Sequence, residues 1–185
     1  MPPLKTPICD FGTSAKDFQL NSIKNKIVSL DDIRGETGTL IMFICNHCPY
    51  VKAVIKDIVQ DCKDLEKFGI KAVAISSNDV INYPEDSFDN MINFSNEHQF
   101  CFPYLLDESQ IVAKNYAAIC TPDFFGYNNN LELQYRGRIR EVKNLVPVRI
   151  NNSDLYNAMK LISETGKGPK EQKPSLGCSI KWKNK

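Results

Sequence analysis

This sequence has no excess of charge of either sign, because its 23 lysines and arginines nearly balance its 22 aspartates and glutamates. A formal net charge of +1 gives no reason to expect nucleic acid or an anionic membrane as a partner. The hydrophobic share of 42% and the charged share of 24% are ordinary for a soluble globular protein. The 185 residues are enough for one domain with a full core.

Long apolar runs are missing as well. The run 40–45 is far shorter than the roughly 20 apolar residues that a membrane-spanning helix requires. Residues 1–7 lack the apolar core of a signal peptide. We therefore expect a cytoplasmic protein that has no membrane partner.

A complete set of disulfides within one chain is also excluded, because the seven cysteines are odd in number. In a reducing compartment an isolated cysteine most often serves as a small buried hydrophobe. We predict that role for Cys9, Cys62 and Cys101. Cys45 and Cys48 differ from these three because only two residues, at positions 46 and 47, lie between them.

The pair Cys45 and Cys48 follows an apolar run and precedes a helical pattern over residues 51–68. A strand that delivers two cysteines to the first turn of a helix places them beside unpaired backbone N–H groups and the positive end of the helix dipole. Both features favour the thiolate, which is the reactive form of cysteine. The spacing therefore indicates a redox site.

Strands and helices alternate along the chain, which indicates an α/β fold with a central mixed sheet. The apolar segments 39–45 and 71–75 are the predicted central strands. The other predicted elements are a hairpin over 17–30, a helix that begins at Pro84, a strand over 102–106, a short helix over 109–116, a hairpin over 124–135 with asparagines that tolerate positive φ in its turn, and a last helix between Ser153 and Gly166. Neither an internal repeat nor a long linker is present, so residues 1–166 are predicted to form one domain, with residues 167–185 as a tail that packs on it.

This order of elements, with a Thr-Pro pair before the second hairpin, resembles the thioredoxin fold. The N-terminal β-hairpin and the long insertion between the Cys-x-x-Cys helix and the Thr-Pro strand resemble the redoxin branch of that fold. Segments 43–51, 77–79, 83–87, 120–125 and 177–182 are similar to the signature of the "peroxiredoxin-like 1" group of thioredoxin-family proteins, which is of the AhpC/TSA redoxin type. The resemblance covers nearly the whole chain.

The resemblance implies a thiol–disulfide oxidoreductase with a thiol-redox or antioxidant role. Cys45 would attack a disulfide and Cys48 would resolve the mixed disulfide. Between them, Asn46 and His47 are predicted supporting residues, and His47 is expected to lower the pKa of Cys45 below the free value of about 8.5. No cofactor is implied. The expected partners are a protein or small-molecule disulfide and an electron donor of the thioredoxin or glutathione type.

Thr121 and Pro122 match the cis-proline segment that faces the active cysteines in thioredoxin folds, since proline is the residue that tolerates a cis bond. The backbone of Thr121 is then expected to hydrogen-bond an extended substrate. Cys120 directly precedes this segment and is either a further redox partner or a buried bystander. Cys178 lies in the tail, and three roles stay open for it: a second resolving thiol, a partner in an intermolecular disulfide, or a cysteine without a redox role.

Two other functions remain open from the sequence. A peroxiredoxin requires Pro-x-x-x-Thr-x-x-Cys, but Ile41 and Cys45 stand at those positions if Cys48 reacts, and Gly38 and Met42 if Cys45 reacts. Hydroperoxide reduction is therefore an alternative without its usual motif. A second alternative is a copper- or zinc-binding module that uses Cys45, His47 and Cys48.

Overall fold

A computed structural model describes residues 3–183 of the chain. Its elements in chain order are β1 (Leu4–Lys5), β2 (Gln19–Ser22), β3 (Ile27–Ser29), β4 (Gly38–Phe43), α1 (Pro49–Glu66), β5 (Ile70–Ser76), α2 (Phe88–Glu97), β6 (Tyr104–Leu106), α3 (Ile111–Asn115), β7 (Cys120–Thr121), β8 (Asp123–Asn128), β9 (Leu133–Tyr135), β10 (Val142–Lys143), β11 (Val146–Pro147), α4 (Asp154–Thr165) and β12 (Leu176–Ser179). Two 3-10 turns lie at Asp31–Ile33 and Pro84–Asp86. Within these described residues, no helix has the length and apolar character needed to cross a membrane.

Seven strands form one mixed sheet in the order β3-β2-β6-β5-β4-β8-β9. The central strand β4 runs parallel to β5 and antiparallel to β8. All six residues of β4 are buried, as its apolar sequence predicts for a strand covered on both faces. The predicted α/β class with a central mixed sheet and an N-terminal hairpin, here β2 and β3, is therefore confirmed.

The side chains of β4 alternate between two cores on opposite faces of the sheet. Leu40 and Met42 pack with buried residues of α1, α2 and α4. Ile41 and Phe43 pack on the other face with residues of α3. Full burial of a side chain of this size contributes about 1.5–3 kcal/mol, so β4 is anchored from both sides. That anchoring fixes the point at which the chain leaves the sheet, two residues before Cys45.

Helix α1 begins at Pro49, with Cys48 as its N-cap residue. Proline suits this first position because its missing N–H would have no partner inside the helix. Val51, Ile55 and Ile58 lie on the buried face that packs toward the sheet. The start of α1 is therefore fixed by the same core as β4, and the short segment between them is held at both ends.

A second, three-stranded sheet has the order β1-β12-β7, with β12 antiparallel to both neighbours. Cys178 of β12 pairs with Thr121 of β7. A Cβ atom at Gly177 would lie only 2.1 Å from the carbonyl oxygen of Thr121, so this close approach requires glycine. Strand β12 thus brings part of the predicted tail against Thr121, while the domain boundary at residue 166 stays a prediction.

Two local predictions differ from the structure. The helix predicted to begin at Pro84 is a 3-10 turn followed by α2, because the Ser87 side chain accepts a hydrogen bond from the Asn90 N–H and caps a new helix. In the turn between β8 and β9, Leu131 rather than an asparagine has the positive φ, 59°. The Asn128 side chain accepts backbone N–H bonds there instead.

Candidate active site: a cluster of buried thiols

Cys45 and Cys48 lie in the segment between β4 and α1. Their residues are 1% and 0% exposed, so neither thiol is accessible in this conformation. The interaction between the two thiols is the largest influence on the pKa of both. The predicted pair is therefore assembled at the start of a helix, as the spacing indicates.

Thr121 contacts both thiols from the opposite side. The Sγ of Cys45 lies 3.3 Å from the Thr121 Oγ1, and the Sγ of Cys48 lies 3.1 Å from the Thr121 carbonyl oxygen. The peptide bond between Thr121 and Pro122 is cis, as predicted. The backbone of Thr121, expected to bind an extended substrate, pairs in this structure with Cys178 of the same chain.

Cys178 is the third thiol of the cluster. Its strand pairing with Thr121 brings it to the site, where its side chain and its backbone N–H lower the pKa of Cys48. Cys178 is partly exposed, in contrast to the two cysteines between β4 and α1. Cys120 is also near enough for the charge of Cys48 to act on it, but it is fully buried and its Sγ lies 3.7 Å from the Pro122 carbonyl oxygen.

The negative charge of the cluster rests on Cys48. Its pKa is lowered to about 5, first by the hydrogen bond from Cys45 and then by bonds from Cys178 and from the Val51 N–H in the first turn of α1. The pKa of Cys45 is raised well above its ordinary value by the bond to Cys48, by burial and by the charge of Asp86. The prediction of a lowered Cys45 pKa is therefore wrong.

One contact acts against this assignment. The 3.1 Å approach of the Cys48 Sγ to the Thr121 carbonyl oxygen favours a proton on Cys48. We nevertheless assign the charge to Cys48, because several N–H and S–H donors converge on it and this carbonyl is a single acceptor. The Thr121 hydroxyl lowers the pKa of Cys45, but burial and the charge of Asp86 raise that pKa by more.

His47 is bound by the carboxylate of Asp86, which was not predicted from the sequence as a site residue. Its Nδ1 donates to Asp86 across 2.6 Å, and its ring stacks on Tyr83 with centroids 5.8 Å apart. The Asp86 bond raises the pKa of His47. Burial raises the pKa of Asp86, but bonds from His47 and Asn78 outweigh it, so the net shift is downward. In the sequence, Asp86 is marked only as one of the two acidic residues that follow Pro84 at the predicted helix start.

Asn46, the other predicted supporting residue, is buried and positions the segment between the cysteines. Its side-chain amide donates to the Glu85 carbonyl oxygen across 3.1 Å. Its Oδ1 accepts a hydrogen bond of 2.9 Å from the Tyr104 hydroxyl. Its backbone N–H donates to Asp86, as does that of His47. Asn46 therefore contacts neighbouring loops rather than a thiol.

A copper- or zinc-binding module of Cys45, His47 and Cys48 was an alternative from the sequence, whereas the structure groups Cys45, His47 and Asp86, with ligand atoms within 4.8 Å of one another. The Asp86 oxygens already accept hydrogen bonds from two backbone N–H groups, from His47 and from Asn78. Because these donors occupy the carboxylate, hydrogen bonding accounts for the cluster and the donor set does not suit a metal ion.

The remaining cysteines lie in other environments. Cys62, on α1, is buried as predicted. Cys9 is half-buried. Cys101 is exposed, so its predicted burial is wrong: it lies in the loop between α2 and β6, outside both cores.

A central strand that leads into two cysteines at a helix start, opposite a cis-proline, defines a thioredoxin-fold protein of the redoxin type. The solved thioredoxin domain of a thiol-disulfide oxidoreductase from Bacteroides vulgatus shares this fold, with a TM-score of 0.61 and 16% identity over 81% of this chain and 95% of that one. The chain belongs to the AhpC/TSA family, whose model matches residues 11–142.

Two solved structures are similar over the whole length. An uncharacterized conserved protein from Geobacillus kaustophilus is 40% identical with a TM-score of 0.94, over 100% of this chain and 98% of that one. A hypothetical protein from Sinorhizobium meliloti is 32% identical with a TM-score of 0.89, over 99% of each chain. No curated protein matches the chain. Family membership together with the thiol cluster supports a thiol redox role.

Proposed function

We propose that the protein is a thiol–disulfide oxidoreductase that cycles between a Cys45–Cys48 dithiol and a Cys45–Cys48 disulfide. The observation that carries this proposal is the placement of both thiols at the start of α1 against Thr121, which contacts the Sγ of each. A thiolate is required for attack on a disulfide, and a neighbouring thiol is required to release the product.

Overall, one external disulfide takes two electrons from the dithiol. Its S–S bond breaks and a Cys45–Cys48 bond forms, while one external sulfur leaves as a thiol with the Cys45 proton and the other leaves as a thiolate. The family resemblance implies that Cys45 makes the attack. We propose the reverse order, with Cys48 as the attacking thiolate and Cys45 as the resolving thiol, because the charge rests on Cys48.

A disulfide-reduction assay tests the assignment. We expect Cys45→Ser and Cys48→Ser to lose turnover of a model disulfide such as oxidised glutathione in the presence of an external reductant. Cys62→Ser is the matched control, because Cys62 is a buried cysteine on α1 away from the cluster. Full activity of Cys48→Ser overturns the proposal. Peptide mapping of the oxidised wild type should identify the Cys45–Cys48 disulfide.

The partners that we propose are a protein or small-molecule disulfide and an electron donor of the thioredoxin or glutathione type. We also place the reaction in the cytoplasm, where such donors keep thiols reduced. Hydroperoxide reduction is less favoured. Peroxide activation uses an arginine, and Arg136 is bound to Asp123 across 3.0 Å and to the Ala117 carbonyl oxygen across 2.7 Å.

A further inference from the structure

Exposure differs sharply within the thiol cluster. Cys45 and Cys48 are 1% and 0% exposed, so an external disulfide cannot reach either sulfur in this conformation. Cys178 is partly exposed, packs against the core that contains Cys45 and Cys48, and pairs with Thr121, whose carbonyl oxygen lies 3.1 Å from the Cys48 Sγ. Within the cluster, Cys178 is therefore the thiol that lies between solvent and the buried pair.

The strand that carries Cys178 is held on the site by several bonds. Cys178 pairs with Thr121, and Gly177 allows β12 to approach the Thr121 carbonyl oxygen. The Ser175 hydroxyl donates to the Pro122 carbonyl oxygen across 2.8 Å, and the Ser175 N–H donates to the Thr6 hydroxyl across 2.9 Å. These bonds place Cys178 as a fixed part of the site.

We propose that Cys178 is a third redox thiol, which relays disulfide exchange between solvent and the buried Cys45–Cys48 pair. This inference rests on the proposed function, because the relay needs the pair to be redox-active. It goes beyond that function by assigning the first contact with an external disulfide to β12.

The exchange proceeds in three balanced steps. First, Cys178 gives its proton to Cys48 and attacks the external disulfide, which forms a mixed disulfide and releases one external thiolate. Second, Cys48 passes that proton to the released thiolate and attacks the Cys178 sulfur. A Cys48–Cys178 bond forms, and the second external thiolate leaves.

In the third step, Cys45 passes its proton to this second thiolate and attacks the Cys48 sulfur. The Cys48–Cys178 bond breaks, the Cys45–Cys48 bond forms, and Cys178 leaves as a thiolate. One external disulfide has become two thiols, and the pair has lost two electrons and one proton. Cys178 has lost the other proton and no electrons, so it is ready to act again.

The protonation of Cys178 sets the cost of the first step. Its pKa is raised to about 12, first by burial and then by its interaction with Cys48 and the Cys48 charge. Because Cys48 is the stronger acid, the proton transfer to Cys48 is uphill, and the attack on the external disulfide must draw it forward. Once Cys48 is part of a disulfide, its charge and that interaction are gone, and the pKa of Cys178 falls toward its ordinary value. The thiolate that the third step produces is therefore stabilised by the same step.

Cys120 does not meet the requirements for such a relay. It is fully buried, burial raises its pKa far above the ordinary value, and its Sγ is nearest to the Pro122 carbonyl oxygen. We therefore assign Cys120 to the surrounding core.

The relay is tested by trapping its middle step in the full-length chain. In Cys45→Ser the third step is impossible, so oxidised glutathione should leave a Cys48–Cys178 disulfide, identified by acid quenching, alkylation and peptide mapping. A glutathione adduct at Cys48 or Cys178 without this bond overturns the relay.

A kinetic measurement is the second test. In Cys178→Ser we expect the Cys45–Cys48 disulfide to form at least about tenfold more slowly with oxidised glutathione, because the pair has lost its accessible partner. Cys101→Ser is the matched control, since it removes an exposed thiol that is outside the cluster, and it should keep the wild-type rate. Equal rates for Cys178→Ser and wild type overturn the relay.

Different results would contradict the proposed function and the relay. If oxidised wild type contains no Cys45–Cys48 disulfide, the proposed function is wrong and the relay falls with it. If that disulfide forms in wild type while Cys45→Ser forms no Cys48–Cys178 disulfide, only the relay is wrong.

Discussion

The Nδ1 atom of His47 lies 2.6 Å from a carboxylate oxygen of Asp86, so the imidazole between the two cysteines is bound to an acid on another segment. The same carboxylate accepts the backbone N–H groups of Asn46 and His47. Asp86 therefore fixes both the ring and the backbone of the segment that separates the thiols. Its charge also acts on Cys45, whereas the charge of Cys48 acts on His47.

Replacement of His47 should weaken the acidity of Cys48. The pKa of His47 is raised by Asp86, so the ring is protonated near pH 5, where Cys48 ionises. In His47→Gln that positive charge is lost, and the pKa of Cys48 should rise. The ultraviolet absorbance of the thiolate, followed against pH, measures this shift. His98→Gln, at the other histidine of the chain, is the control and should titrate like wild type. An unchanged midpoint in His47→Gln contradicts the prediction.

A methyl group at position 177 should open the thiol cluster. The Cβ of Gly177→Ala would lie 2.1 Å from the Thr121 carbonyl oxygen, so β12 must move away from β7. Cys48 then becomes exposed to solvent. We expect its alkylation by iodoacetamide to be at least about tenfold faster than in wild type, as for a locally opened segment. The neighbouring variant Leu176→Ala, which shortens a largely exposed side chain, should react at the wild-type rate. Equal rates in both variants would show that β12 does not protect the pair.

The ionisation of Asp61 should lower the free energy of unfolding as pH rises. Burial raises the pKa of Asp61 to about 6, above its ordinary 3.8, although the Ser153 hydroxyl donates to it. The folded state therefore binds this proton more tightly than the unfolded state. The stabilisation is complete below pH 3.8 and is lost as pH rises to about 6. Asp61→Asn should remove this loss of at most about 3 kcal/mol.

Urea unfolding at several pH values measures the effect of Asp61. The control is Asp64→Asn, three residues further along α1, where hydrogen bonds from Gln60 and Lys67 lower the pKa. Its contribution has the opposite sign, since the stabilisation from a lowered pKa is lost as pH falls. If Asp61→Asn and wild type lose stability equally between pH 3.8 and about 6, the prediction is wrong.

The Asp57 carboxylate should contribute strongly to the stability of the folded protein. Asp57 is 7% exposed and accepts two hydrogen bonds from Arg149, of 3.0 and 2.8 Å. The Arg140 Nε also lies 3.1 Å from this carboxylate, in an ion pair whose geometry does not make a hydrogen bond. Asp57→Ala leaves the buried Arg140 without this carboxylate and should cost about 3 kcal/mol. Asp64→Ala, which breaks an exposed pair with Lys67, should cost under about 1 kcal/mol. Equal costs in urea unfolding would contradict this.

The sequence predicted the elements that depend on local pattern. The run 40–45, the helix that follows it and the Ser153 cap of α4 are found because apolar periodicity and capping are properties of neighbouring residues. Family resemblance supplied the cis bond at Pro122.

The parts that the sequence did not predict depend on contacts between distant segments. Asp86 lies far from His47 along the chain, so its bond to the imidazole has no local signal. The charge on Cys48 depends on Cys178, which reaches the site only through the pairing of β12 with β7. The exposure of Cys101 depends on how the loop before β6 leaves the core.

The pairing of β12 with β7 also sets the order in which the site is completed during protein synthesis. Strand β12 is the last described element of the chain, whereas Cys45 and Cys48 are made in the first third of it. At usual elongation rates the ribosome needs roughly ten seconds to travel from Cys48 to β12. Until residues 176–179 have left the ribosome, the nascent chain has no β12 to pair with β7, so Cys178 cannot yet join the site.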